Sequence, residues 1–203
     1  MDVMTTEPRT PSAPSATSAT SDPSADADLG TGERADLLEA LRTHRGLFRY
    51  TVASLTDEQA RLTPTVSTLT LGGLIKHVAA TEAEWARFIV EGPAEGSGVN
   101  WANVDWANPP PEVQQQEDSF RMQEHETLAG LLAHYEEVAT ATDELVLTVD
   151  LDARQALPAA PWFKSGASWS ARRVVLHVVA ETAQHAGHAD ILRESIDGQK
   201  SMG

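Results

Sequence analysis

Residues 171–196, "ARRVVLHVVAETAQHAGHADILRESI", contain no proline and keep an unbroken apolar period, so they read as one continuous helix. A helix of that length must bury one face, yet this one carries His177, Glu181, His185 and His188 along a single side. At about 100° per residue, Val174, Val178, Ala189, Leu192 and Ile196 fall within about 60° of one another and define the core direction. His185 lies in the middle of that face, Glu181 one turn before it, and His177 and His188 at its shoulder. Glu181 and His185 are therefore expected to aim most directly into the interior. An ionised carboxylate in an apolar interior either finds a partner or is driven neutral, so something positive is expected beside Glu181.

The rest of the chain supplies three further helices. Residues 1–32 are built from Ser, Thr, Ala, Pro and Asp with almost no large apolar side chain, and are expected to form a disordered tail. Residues 33–203 then form one domain, large enough for a real core. The first helix runs from Glu33 to about Leu55, with Leu37, Leu38, Leu41, Leu47 and Phe48 at helical spacing. "TDEQARLTP" reads as a short capped turn or helix that ends before Pro64. The second helix starts near Leu71 and stops at Gly92-Pro93, and the third covers roughly Glu124 to Leu147. Between them, residues 93–123 carry three consecutive prolines, several glycines, Trp101 and Trp106, which predicts a functional lid or a flexible insertion. "DLDARQALPAAPWFKSGAS" reads as a loop, with Ser168 or Ser170 capping the fourth helix, which ends at Asp197-Gly198. Four amphipathic helices without a strand pattern predict an all-α bundle.

Charge and composition narrow the partners. The formal net charge is −15, with 30 acidic residues against 15 Lys plus Arg, and no basic cluster stands anywhere to neutralise phosphates. Nucleic acid and anionic membrane are thereby poor partners. No apolar run approaches the roughly 18 to 20 residues that span a bilayer, and no signal pattern opens the chain, so a soluble cytoplasmic protein is expected. There is no cysteine, so any thiol chemistry must come from a small molecule.

On the second helix, Leu74, Val78, Trp85 and Phe88 form the apolar stripe, and His77 stands at its edge with Glu84 seven residues on. Side chains four apart on a helix reach one another, so Glu181 and His185 can hold a single ion, with His77 as a third ligand. Two imidazoles and a carboxylate suit zinc or another first-row divalent ion, nickel or iron included, and leave coordination positions open for water or substrate. The alternative is a structural network in which Glu181 pairs with Arg173, Lys76 or a protonated His77. His177 and His188 are expected beside the ligands or exposed, and His44, His125 and His134 as ordinary polar positions. Trp85, Trp162 and Trp169 are expected as core or interface fillers, while Trp101 and Trp106 are fillers or substrate platforms.

"LGGLIKHVAATEAEW", followed much later by "VLHVVAETAQHAGHADILRESIDG", resembles the DinB-like superfamily. The branch is that of the mycothiol-dependent S-transferases and the metal-binding domain of mycothiol-dependent maleylpyruvate isomerase. "SLTDEQARLTP" is similar to the same branch, and the resemblance runs from about Glu33 to Gly198. It implies a four-helix bundle of up-down-down-up topology whose long crossover joins helices two and three. It also implies a metal held by a histidine of the second helix and by two residues four apart on the last, places taken here by His77, Glu181 and His185. The isomerase carries a further C-terminal domain, whereas this chain ends soon after Gly198, so that isomerisation is not expected.

Together these readings predict a metal-dependent transferase using a low-molecular-weight thiol of the mycothiol type and a small-molecule electrophile. His188 or His177 would relay the thiol's proton. The rival expectations are a hydrolase that activates water, with Glu84 or His188 as base, and a non-enzymatic metal- or ligand-binding bundle associated with stress. A monomer and a homodimer are both compatible with the pattern of exposed apolar positions.

Overall fold

The structure is a computed structural model that describes residues 31–93, 104–105, 107–111, 119–158 and 160–201. The expected tail, apart from its last two residues, and both Trp101 and Trp106 lie outside the described residues. Helix α1 (Glu33–Tyr50) carries Glu33 and Asp36 in its first turn and Arg49 in its last, each matched to the helix dipole. It stops short of the expected Leu55. Residues 51–53 continue as tighter turns, each N–H donating to the carbonyl three residues back, and Ser54 at φ 63° ends them. Helix α2 (Asp57–Ala60) is a single turn closed by the reciprocal capping box of Thr56 and Gln59.

Helix α3 (Leu71–Glu91) starts where the Thr70 side chain accepts from the Gly73 N–H, and ends at Gly92, whose φ of 79° few other residues adopt. Helix α4 (Leu128–Thr148) begins four residues later than the sequence predicts. The residues ahead of it are engaged elsewhere: Arg61 donates to the carbonyls of Gln123, Glu124 and Glu126, and Asp57 accepts the Leu128 N–H at 2.7 Å. Thr127 then caps the helix by accepting from Gly130 N–H.

The segment expected to be a loop holds a small antiparallel ribbon, β1 (Arg154–Ala156) and β2 (Ser168–Ser170), with Gln155 opposite Trp169. Three-residue strands are too short for alternation to announce them. Ser170 caps α5 (Ala171–Asp197), which Gly198 terminates in the left-handed conformation at φ 80°.

The long helices pack as an all-α bundle, with α3 against both α4 and α5, and α1 against α5 and α4. Two apolar clusters fill it. One gathers Phe48, Leu74, Ile75, Val78, Tyr135 and Leu192; the other gathers Leu38, Leu41, Phe88, Ile89, Val146, Val174 and Val178. Each such side chain contributes about 1.5–3 kcal/mol by leaving water. Leu47, expected in the core, is exposed. Along α1, α3, α4 and α5 the sequence passes from one cluster to the other through buried polar residues: Arg45, Glu82, Thr142 and Thr182. Among the described residues, no helix is long and apolar enough to cross a membrane.

Candidate metal centre

Packing of α3 on α5 brings His77 to His185, their ring centres 5.0 Å apart and nearly perpendicular at 75°. Glu181 lies between two imidazoles of its own helix: Oε1 is 3.6 Å from Nε2 of His177, and Oε2 is 3.7 Å from Nε2 of His185. His188 follows on the same side, with its ring 5.5 Å from that of His185. On α3 the Nε2 of His77 is 3.4 Å from Thr81 Oγ1, a long contact for a hydrogen bond. His177 stands edge-on to Trp85 and Trp169, which stack on each other with centres 5.1 Å apart. Arg173 lies over the Trp169 ring at 4.2 Å.

Three readings need correction. Glu181 is not driven deep into the core; its side chain keeps 29 % of its exposure. The buried face of α5 also takes in Val175, Thr182 and Arg193, which turns its centre away from Glu181 and leaves the carboxylate at the rim. Nor do Arg173 and Lys76 serve as its partners, since Arg173 stacks on Trp169 and Lys76 pairs with Glu126 at 2.9 Å. Trp162, expected as a filler, is exposed, whereas Trp85 and Trp169 are half-buried around His177.

Among the described residues the fully buried acidic side chain is Glu82 on α3, and the sequence reading missed it. It accepts from Arg45 Nε at 3.1 Å and Nη2 at 2.5 Å, and Arg45 Nη1 donates to Asp143 at 2.6 Å. A signal was present: Arg45 falls four residues after Leu41 and three before Phe48, and Glu82 four after Val78, so both interrupt apolar stripes. Phe120 was missed as well. Its ring stacks on His77 with centres 3.8 Å apart, and stands 6.4 Å from His185.

The electrostatics favour neutral imidazoles. Burial, with the nearby His185 adding to it, pushes His77 down to about 4. Burial also lowers His185 and His177, with Glu181 opposing the shift in both cases. Neutral imidazoles keep the lone pairs that a metal ion needs.

The donors fit a divalent ion in three respects. They are nitrogen and carboxylate oxygen, as zinc and its neighbours prefer. Two imidazoles bonded to one zinc at about 2.0–2.1 Å hold their ring centres about 5 Å apart, close to the spacing of His77 and His185. The Nδ1 atoms of His185 and His188 are buried without a hydrogen-bond partner among the described residues. The set is not fully gathered: among the described residues no three His, Asp or Glu side chains already surround one point. Glu181 faces His177 and His185 instead.

Residues 36–198 match the family model described as Mycothiol-S-transferase. No curated protein matches the chain. Among solved structures, a conserved protein from Enterococcus faecalis is similar in fold, with a TM-score of 0.59 at 13 % identity, covering 84 % of this chain and 100 % of that one.

Proposed function

The chain belongs to the mycothiol-S-transferase family, and from that premise we propose that it is a metal-dependent transferase joining a mycothiol-type thiol to a small-molecule electrophile at His77, Glu181 and His185. The observation that carries the metal is the pairing of two half-buried, neutral imidazoles from different helices, one of them with a buried nitrogen unpartnered among the described residues. His77, Glu181 and His185 would hold a divalent cation, zinc first with nickel or iron as alternatives, and when bound it would lower the pKa of an incoming thiol and make its sulfur nucleophilic at neutral pH.

The chain's own residues do the rest. His77 and His185 offer nitrogen donors without first losing a proton, because burial has already removed it. Glu181 supplies the negative charge that offsets the cation, on leaving its position between His177 and His185. His188, beside His185 and with Nδ1 unpartnered among the described residues, takes up the thiol proton and passes it outward. The chain has no cysteine, so the reacting sulfur comes from the cosubstrate.

The test is elemental mass spectrometry on protein purified without a polyhistidine tag or chelators, followed by conjugation assays with mycothiol and model electrophiles. About one equivalent of metal, lost in His185→Ala and Glu181→Ala together with thiol consumption, is expected. Metal-free wild type that cannot be reconstituted would overturn the proposal. Turnover of an ester or amide without thiol would move the activity to hydrolysis, for which His188 is the nearer base because Glu84 is exposed on α3.

A further inference from the structure

Helix α3 opens with Gly72-Gly73, an unfavourable pair in a helix unless a neighbour needs the space. A neighbour does. A Cβ on Gly73 would stand 1.7 Å from the carbonyl oxygen of Phe120, and one on Gly72 would stand 2.5 Å from Met122 Sδ and 3.0 Å from Met122 Cβ. Residues 120–122 therefore lie directly on the backbone of the first turn of α3. Met122 is buried in the core there. Just beyond, the chain is held again by Lys76 on Glu126 and by the contacts of Arg61 with the carbonyls of Gln123, Glu124 and Glu126.

Gly73 and His77 are four residues apart and share a face of α3. The segment that rests its carbonyl against Gly73 consequently lays its ring on His77, with the planes only 24° apart. Metal-ligating imidazoles are usually oriented by a hydrogen bond from the ring nitrogen that does not bind the metal. Here the polar contact of His77 Nε2 is the long one to Thr81, while Phe120 covers a ring face and His185 meets the ring at 75°.

We propose that Phe120, seated by the absent side chain of Gly73, is a positioning residue that fixes the imidazole plane of His77 toward His185. The inference rests on the metal-centre reading for what His77 does, but the hold on the ring is measurable without metal or turnover. Compare full-length wild type with Phe120→Leu, Phe120→Tyr, Gly73→Ala and the Gly73→Ala/Phe120→Leu pair. In metal-free protein, a stacked aromatic ring shields the His77 ring protons. Their NMR signals, assigned with His77→Asn, should move downfield in Phe120→Leu, stay in place in Phe120→Tyr, and move in Gly73→Ala as in Phe120→Leu.

Zinc affinity, measured by competition with a chromophoric chelator, should fall about tenfold in Phe120→Leu and recover to within about twofold in Phe120→Tyr. The double variant should lose no more than the worse single one, because Gly73 acts through Phe120. Unshifted His77 signals in Phe120→Leu, or zinc affinity unchanged there, would overturn the positioning role. Should Gly73→Ala fail to fold, the two Phe120 variants decide alone. If wild type binds no zinc while the His77 signals move as expected, the metal centre falls and the hold of Phe120 on His77 stands.

Discussion

Helix α3 carries two ionisable side chains five residues apart that meet opposite fates. Glu82 has both carboxylate oxygens taken by one guanidinium, and that guanidinium spends its remaining terminal nitrogen on Asp143, so the buried group is closed on itself. His77 touches Thr81 at 3.4 Å and meets the rings of Phe120 and His185. Across from it, His185 and His188 each keep a buried nitrogen without a partner among the described residues. Buried polar atoms are common to both regions; completeness separates the Glu82 carboxylate from the imidazoles. A satisfied buried network serves the fold, whereas an incomplete one costs stability until something completes it.

The largest effect should come from opening the closed region. Glu82→Ala leaves the Arg45 charge buried beside a single carboxylate and is expected to destabilise the protein by about 3–5 kcal/mol in urea unfolding. Metal content per folded molecule should fall less than in His185→Ala, and an equal loss would erase the distinction between the two regions.

Cutting into the incomplete region should give the reverse pattern. His185→Ala is expected to lower transfer activity on the order of 100-fold, about 2.7 kcal/mol, while the urea midpoint of the metal-free protein barely moves. A collapse of metal-free stability would mean that the stripe is structural after all.

A smaller effect comes from pH. Unfolded histidine titrates near 6.5, while His77 in the folded, metal-free chain titrates at about 4. Between these values the unfolded chain binds the extra proton, so the stability contributed by neutral His77 is present above 6.5 and is lost as the pH falls toward 4. The melting temperature of metal-free protein should fall across that window, and less steeply in His77→Asn. The smallest effect should be that of Arg87→Ala, which removes an exposed pair with Glu91 on the same helix, within about 0.5 kcal/mol by urea unfolding.

Local chemistry was legible in the sequence. The caps at Thr56 and Ser170 and the stops at Gly92 and Gly198 announce their elements because each acts within a few residues of itself. The side of α5 bearing the histidines was legible for the same reason, through the helical period. What escaped depends on contacts between distant residues. Glu82 reads as an ordinary surface acid until Arg45, thirty-seven positions earlier, is known to face it. Glu181 was set too deep because Thr182 and Arg193 read as polar, whereas packing buries them. Phe120 lies in a connection without a period, and its place on His77 depends on contacts with distant residues, the close approach of its carbonyl to Gly73 among them.

Helix α1 gives no side chain to the candidate metal centre, yet it acts as the ruler against which His77 and His185 are aligned. Arg45 fastens α3 to it through Glu82. Near its two ends α5 is fastened to α1 and the turns that follow it, by Arg172 on Glu33 and by Arg193 on the carbonyls of Thr51 and Ala53. A slip of α3 or α5 by one residue shifts it about 1.5 Å along its axis and would strip these arginines of their acceptors. The alignment of His77 with His185 is thus set by slippage that α1 forbids, from residues outside the centre altogether.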